Sequence, residues 1–600
     1  MSRRPPPSAS GEPASAGAAR AAFLCLTTLA AFWPSLRNGF VNWDDGANLV
    51  ENFNYRGLGW TQLRWMWTTF HMGHYQPLSW MSLGLDYLAW GMNPFGYHLS
   101  SLLLHCANAV LFYFVAVRLL RGAAAGAPGE RGAAGSAALL AALLFAVHPL
   151  RVESVVWATE RRDVLSGLFY LAAVLFYLQA RDAPQGRPSR RKLRAAAACG
   201  LLSLLSKAIG MTLPAALVVL DVYPLRRLPF DPTRWFEREA RGVLGEKVPF
   251  AAISLPFAVA AFLAQRHTGV IAHFASAGLV ERLATAAFGA AFYLFKTLVP
   301  RHLLPLYSRP VAFHAGAPRF LGAAAVVAAV SAGAFLARRR WPGLAAAWIY
   351  YLATLAPVLG VVLSGIYLAA DRYTYLPCLA WALLAAAAAA RVYLRSGRLG
   401  RAASACAAGL IVAGLVSLTR GQCRIWRDSV GLWTYTTSVE PDSAPAHDNL
   451  GTALARSGRE ADAVLEFQSA VRLDPNDPEA RNNLATAWVR SGRWEDGIVE
   501  YRAALRADPA YAMARDNLGA VLAAQGKTEE AIAEYRRALA VNPGDAHAHN
   551  NLGAALAGQG RSADAAAEFR RALELSPNYA EAANHLRALS IETSGGAAPH

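Results

Sequence analysis

From residue 444 onward the chain repeats itself every 34 residues. Gly451, Ala485, Gly519 and Gly553 keep that step, and so do Pro475, Pro509, Pro543 and Pro577. Aromatic residues follow it at Phe467, Tyr501, Tyr535 and Phe569, and alanines at Ala470, Ala504, Ala538 and Ala572. Such a period holds two helices, and one unit cannot bury its apolar face alone, so successive units must stack into a solenoid. The small residues let the helices of a unit approach closely. The aromatic fills the gap between them, and the proline ends the second helix.

This pattern resembles the tetratricopeptide (TPR) family over residues 444–579. The expected units are 444–477, 478–511, 512–545 and 546–579, with a capping helix over 580–590 and a disordered tail over 591–600.

The first two thirds of the chain follow another rule. The sequence is 54% hydrophobic with a mean hydropathy of +0.24. Up to about Arg420 the apolar residues come in blocks of bilayer-spanning length, roughly 17–25 residues. Residues 1–20 are Pro/Ala/Ser-rich and read as a disordered segment on the inner side, and the first span covers about 21–36. A loop over 37–96, rich in Trp, Tyr and His, has an amphipathic stretch near Gln76–Trp90, as expected of a segment lying along the membrane surface. Further blocks fall at about 97–118, 136–150, 163–180, 195–206, 208–223, 247–265, 283–299, 317–337, 342–363, 373–390 and 402–419. The expected fold is all-α: a membrane bundle of about 11–13 spans over 21–420, a linker over 421–443, and the solenoid.

Charge follows the same division. Lys and Arg exceed Asp and Glu by 22 in residues 1–443, whereas the acids lead by 4 in 444–590. The excess sits in short loops, where it fixes orientation, and the repeats carry no basic stripe that would suit nucleic acid. Arg118/Arg121/Arg131, Arg187 to Arg194, Arg226/Arg227/Arg234, Arg338–Arg340 and Arg391/Arg395/Arg398/Arg401 all belong inside. That places everything after residue 419 outside. A count of twelve blocks would return it to the inside, so either one block between 266 and 316 is misread or a span is missed there. The six cysteines show no metal-ligand or redox spacing.

Chemistry-bearing residues gather at the junctions assigned to the outer side. Asn42-Trp43-Asp44-Asp45 offers two adjacent carboxylates, suited to a general base and its orienting partner, or to a solvated turn. His148-Pro149, Glu153 and Arg161-Arg162-Asp163 put arginines on the side that orientation disfavours, which suggests either a bound anion or interfacial snorkelling. Lys207 joins two short blocks, and Asp371-Arg372-Tyr373-Thr374-Tyr375 opens a later one. Three junctions that each offer a cation suit a lipid phosphate at the outer interface.

Phe40-Val41…Asp44-Asp45, Tyr75…Pro77-Leu78, Asn93-Pro94…His98, His148-Pro149…Glu153…Arg161…Asp163, Ser206-Lys207…Gly210…Thr212 and Arg372…Tyr375…Pro377 resemble the TMTC proteins, as does the order of membrane half and TPR units. Ala208 departs from the eukaryotic pattern, which tends to have an acid there, and Trp43 looks like an insertion. TMTC proteins are grouped with the GT-C glycosyltransferases, near the protein O-mannosyltransferases. The resemblance implies a mannose-like sugar on a polyprenyl phosphate, delivered to Ser/Thr hydroxyls of an exported protein. Asp44, supported by Asp45, would take the hydroxyl proton. Lys207, Arg161, Arg162 and Arg372 would hold the leaving phosphate, with His148, Glu153, Asp163 and Tyr375 in support. No cofactor is required, and the chemistry admits a divalent metal without needing one. The Ala/Arg/Gly-rich composition hints at a bacterial inner membrane with the repeats in the periplasm.

Two other classes compete. A non-catalytic membrane scaffold would recruit envelope proteins through the repeats and have no use for the acid pair. A transporter would want ionisable groups deep in its spans, and here most sit at span ends. Finally, Asn449, Asn483, Asn517 and Asn551 recur on the first helix of each unit. Their amides either bond between neighbouring repeats or hold an extended acceptor peptide, as similar rows do in the TPR domain of a nucleocytoplasmic sugar transferase.

Overall fold

The computed structural model describes residues 14–123, 128–182, 188–267, 278–309, 314–360 and 367–595. They are helical almost throughout, and the chain divides into two compact units between Leu432 and Trp433. The expected N-terminal disorder falls mostly, and the extreme C-terminus wholly, outside the described residues.

The first unit opens with α1 (Ala14–Phe32), continued by a 3-10 turn over Trp33–Arg37, and two loop helices, α2 (Trp60–Thr68) and α3 (Pro77–Trp90). It continues with α4 (Pro94–Ala123), α5 (Pro128–Ala146), α6 (Val152–Val156), α7 (Arg161–Gln179), α8 (Arg190–Ser206) and α9 (Leu213–Val222). Then come α10 (Arg238–Gly245), α11 (Val248–His267), α12 (Leu279–Leu298), α13 (Pro318–Ala337), α14 (Pro342–Leu355), α15 (Leu379–Arg395) and α16 (Arg398–Ile425). A short ribbon pairs β1 (Tyr307–Ser308) with β2 (Tyr367–Ala369). Helix α4 packs on α5 and α7, and α7 on α8. Gly167 permits the closest approach in α7: a Cβ there would stand 2.8 Å from the Tyr375 ring and 3.3 Å from the Asn108 amide.

A helix stands at every expected apolar block, but fewer are spans by length and composition alone. Four described helices are long and apolar enough to cross a bilayer: Ser15–Arg37, Pro94–Ala123, Pro318–Ala337 and Arg398–Ile425. The number rises to six if the bent pairs Ala133–Ala146 with Pro149–Val156 and Arg238–Gly245 with Val248–Ala264 each count as one. Charges shorten several others, since α7 begins Arg161-Arg162-Asp163 and α8 begins Arg190-Arg191-Lys192. The protein is an integral membrane protein whose bundle mixes full, bent and short helices.

The described helix at the block over 283–299 is α12, which carries Glu281, Arg282 and Lys296. Near its start Glu281 lies 3.7 Å from Arg309, just past β1, and Thr285 lines a small cavity with Tyr367–Ala370 and Tyr373. At its other end the Thr297 carbonyl oxygen is 3.0 Å from His148 Nε2. A helix of this length is about 30 Å long, yet both its ends meet loops that lead to Asp371 or His148. It also packs along α13, one of the four helices of spanning length, so the expected block over 283–299 is a helix of the bundle. The first loop receives the end of α16, where Asn38 Nδ2 donates to the carbonyls of Cys423 and Trp426, each at 2.9 Å.

Beyond α17 (Ser429–Val439), the second unit stacks α18 (Ala444–Arg456), α19 (Glu460–Leu473), α20 (Pro478–Arg490), α21 (Trp494–Ala507), α22 (Ala512–Ala524), α23 (Thr528–Val541), α24 (Ala546–Gly558) and α25 (Ser562–Leu575). The cap α26 (Ala580–Gly595) runs five residues beyond the expected 590. The small-residue positions do what the period requires. A Cβ on Gly451, Gly519 or Gly553 would stand 2.7 Å from the ring of Phe467, Tyr535 or Phe569. Each unit also turns between its helices on a glycine with φ between +76° and +82°, at Gly458, Gly492, Gly526 and Gly560.

With α16 ending on the face of the first loop, residues 424–600 are expected outside the cytoplasm. Protease added to intact bacterial spheroplasts should remove the repeat unit and spare an N-terminal tag. Protection until the membrane is broken would refute this topology.

Candidate active site

The first loop presents its two acids differently. Asp45 is buried, and its carboxylate is fully engaged. Oδ2 accepts from the Val41 N–H (3.0 Å), while Oδ1 accepts from the Thr159 N–H (3.0 Å) and hydroxyl (2.7 Å). Burial, only partly offset by these bonds, pushes Asp45 up to about 7. Asp44, by contrast, is half-buried with φ at +60°, a strained setting for a non-glycine residue, and its carboxylate makes no hydrogen bond among the described residues. Burial raises its pKa above the ordinary aspartate value, and the charges of Arg162 and Arg372 moderate the rise. One acid anchors the loop, and the other is held out by it.

Beside Asp44 lies a second group centred on Glu160, which has no solvent exposure. Glu160 accepts from Arg162 Nη2 at 2.5 Å and from Lys207 Nζ at 2.7 Å, and Arg372 Nε stands 3.4 Å away. Burial alone would raise its pKa, but Arg162, Lys207 and Arg372 together hold it well below the usual value. Lys207 also donates to Asp163 at 2.7 Å, and Arg372 pairs through its side chain and N–H with Glu153. The Arg372 guanidinium lies 5.3 Å from the Trp157 ring, which stacks on Trp43 with centroids 6.2 Å apart. Three cations from three junctions thus meet three carboxylates. An incoming phosphate would have to share cations already held by Glu160, and Lys207, with 19% of its side chain exposed, is the most reachable.

Three expected site residues lie elsewhere. Arg161 is fully buried and committed to Asp86 (2.6 Å), the Tyr97 carbonyl (2.6 Å), Ser101 and Ser82, so it joins α7 to α3 and α4 and cannot hold a phosphate. His148 caps its own turn, accepting from the Leu150 N–H while its other nitrogen meets Thr297. The Tyr375 hydroxyl is enclosed with His105 Nδ1 and Asn108 Nδ2, each at 2.8 Å. Arg162, Lys207, Arg372, Glu153 and Asp163 do come together with Asp44. Sequence reading missed Glu160, although a carboxylate directly before an arginine pair was the available signal. It also missed His74, which feels the charges of Arg162, Glu160, Lys207 and Arg372. Burial first, and then Arg162, keep its imidazole neutral well below the usual range.

Comparisons with known proteins agree with both halves. The model of the tetratricopeptide repeat family matches residues 426–478, 449–512, 482–540 and 517–580. The protein O-mannosyl-transferase Tmtc3 of Drosophila melanogaster is 26% identical over 458 residues, 66% of this chain and 48% of that protein. The mouse protein O-mannosyl-transferase TMTC1 is 33% identical over 230 residues, 35% of this chain and 22% of its own length. This chain is similar to the TMTC proteins. It spans about half the length of the fly relative and less of the mouse one. Among solved structures, MamA is 25% identical over 25% of this chain and 89% of its own, with a TM-score of 0.23.

In the TPR half of this TMTC-like chain, the asparagine row is part of a ladder. Asn483 donates to Asp448 (3.0 Å), Asn517 to the Asn482 oxygen (2.9 Å) and Asn551 to Asp516 (3.1 Å), each 35 residues back. Asn449, in the first unit, donates to the carbonyl of Pro445. The donors expected to hold an acceptor peptide are thus engaged within the solenoid, and that assignment is corrected. Burial raises Asp448 to about 7, with Glu479 and Asp477 adding to the rise and Asn483 opposing it. A raised carboxyl stabilises the fold below its unfolded value near 4, and that stabilisation is lost as pH rises through about 7. Changing Asn483, Asn517 and Asn551 to alanine should lower the melting temperature of the repeat unit by several degrees, at about 1–3 kcal/mol for each buried group left unpaired. Asp448→Asn should flatten the decline in melting temperature between pH 5 and pH 8. Unchanged melting in both variants would return the amides to ligand binding.

Proposed function

We propose that this chain is a membrane glycosyltransferase that moves a mannose-like sugar from a polyprenyl phosphate to a Ser/Thr hydroxyl of an exported protein, in a bacterial inner membrane with its repeats in the periplasm. The observation that carries the reading is the Asp44 carboxylate, with no hydrogen bond among the described residues, close to the charges of Arg162 and Arg372 and to the Glu160 group that also holds Lys207. The similarity to proteins named O-mannosyl-transferases supports the same reaction, and TPR units are a surface suited to a protein acceptor.

In this mechanism the acceptor oxygen attacks the anomeric carbon while the bond from that carbon to the phosphate oxygen breaks. Asp44 takes the hydroxyl proton, and the departing phosphate carries the bonding electron pair away. Lys207, Arg162 and Arg372 share the charge that develops on it, loosening from Glu160 and Glu153 as they do so. A base with a raised pKa takes a proton more readily than an ordinary aspartate, which suits an alcohol acceptor. Asp45 acts by fixing the loop.

Asp44→Asn should cost about 10²–10⁴-fold in transfer rate at normal abundance, measured with polyprenyl-phosphate mannose and a Ser/Thr-rich peptide. The wild-type rate should rise with pH along a limb above the ordinary aspartate range. Because Arg372 lowers the Asp44 pKa, Arg372→Gln should move that limb to higher pH. Lys207→Ala and Arg372→Ala should lose activity that extra acceptor does not restore. Wild-type turnover by Asp44→Asn would remove the acid pair from the chemistry and favour the scaffold reading.

A further inference from the structure

The stretch leading to Asp44 is fastened to a part of the chain nearly four hundred residues away. Asn38 is buried, and its Nδ2 donates to two carbonyls at the end of α16, those of Cys423 and Trp426, both at 2.9 Å. The Gly39 N–H donates to the Arg427 carbonyl at 2.9 Å, and the Asn42 N–H to the Ser429 hydroxyl, which opens α17, also at 2.9 Å. The Trp426 ring lies 6.0 Å from Trp157, itself stacked on Trp43. On the far side, Asp45 is pinned to Thr159. Asp44 therefore stands between two anchors with φ at +60° and no side-chain hydrogen bond among the described residues. Two local bonds turn the chain here, from the Val41 N–H to Asp45 Oδ2 (3.0 Å) and from the Asn48 N–H to the Asp44 carbonyl (2.9 Å), and the anchors fix where that turn sits.

We propose that Asn38 and Ser429 are positioning residues for Asp44: the junction between α16 and α17 clamps residues 38–42 and so aims the carboxylate. This rests on the reaction proposed above. A displacement of about 1 Å at a reacting group can cost 10²-fold in rate, so a loosened clamp should act on turnover and leave donor binding, built from Lys207, Arg162 and Arg372, nearly intact.

The test uses the full chain in detergent, with polyprenyl-phosphate mannose and a Ser/Thr-rich peptide. Asn38→Ala and Ser429→Ala should lower kcat at least tenfold, with KM for the lipid donor within twofold of wild type. Amide exchange should quicken over residues 39–46 and stay unchanged over α7. Ser429→Thr, which keeps the hydroxyl acceptor, should restore both kcat and protection. Ser429 lies at the edge of the clamp, so its variants report even if Asn38→Ala folds poorly. Wild-type exchange in Ser429→Ala, faster exchange with unchanged kcat, or kcat lost only in step with a lower melting temperature would each overturn the proposal. If Asp44→Asn keeps wild-type turnover, the reaction is wrong, and the exchange measurement still decides whether the clamp exists.

Discussion

Glu160 has no contact with water, and an ionised carboxylate in that position is tolerable only if cations reach it. Arg162 comes from the adjacent turn of α7, Lys207 from the junction of α8 and α9, and Arg372 from the 3-10 turn before α15. The loops of the first unit are arranged so that these three converge. Removing one cation would leave a buried charge underpaired, whereas the assembled group fixes three junctions against one another. Asp44 profits from that rigidity, because the group that sets its electrostatic surroundings is also the one that cannot drift.

The bilayer imposes the second constraint. Backbone polar groups must be satisfied within the segment, so apolar stretches become helices whether or not they are long enough to cross. That is why a helix stands at every apolar block in the sequence, including blocks too short or too charged to be read as spans by composition. Helix α12 carries Glu281, Arg282 and Lys296 and still packs along α13, which is apolar enough to cross.

The solenoid was almost wholly legible, because its packing rule repeats in the sequence. Gly451 and Phe467 are spaced so that ring and backbone touch, and three further copies confirm the spacing. The site was legible only in part. Asp44, Lys207, Arg162 and Arg372 were found by type and by side of the membrane. Arg161 was not separable from Arg162, since one residue's rotation about α7 sends the first into Asp86 and the second towards Glu160. Which of two adjacent arginines faces a cleft depends on helix phase, and that is set by packing partners far away in the chain. The clamp from Asn38 to Cys423 and Trp426 left no trace in the sequence, because backbone carbonyls carry no side-chain signature.

The ladder through the repeats has a rhythm twice as long as the repeat itself. Its accepting rung alternates Asp448, Asn482, Asp516, Asn550, so no two carboxylates are neighbours and the two acids are a full two units apart. Losing an inner unit or duplicating any one would bring like rungs next to each other. A deletion of 482's unit would set two poorly solvated acids on neighbouring steps, while loss or gain of two units preserves the alternation. The alternation thus has a period of 68 residues, twice the sequence period, and it ties neighbouring units into unlike pairs.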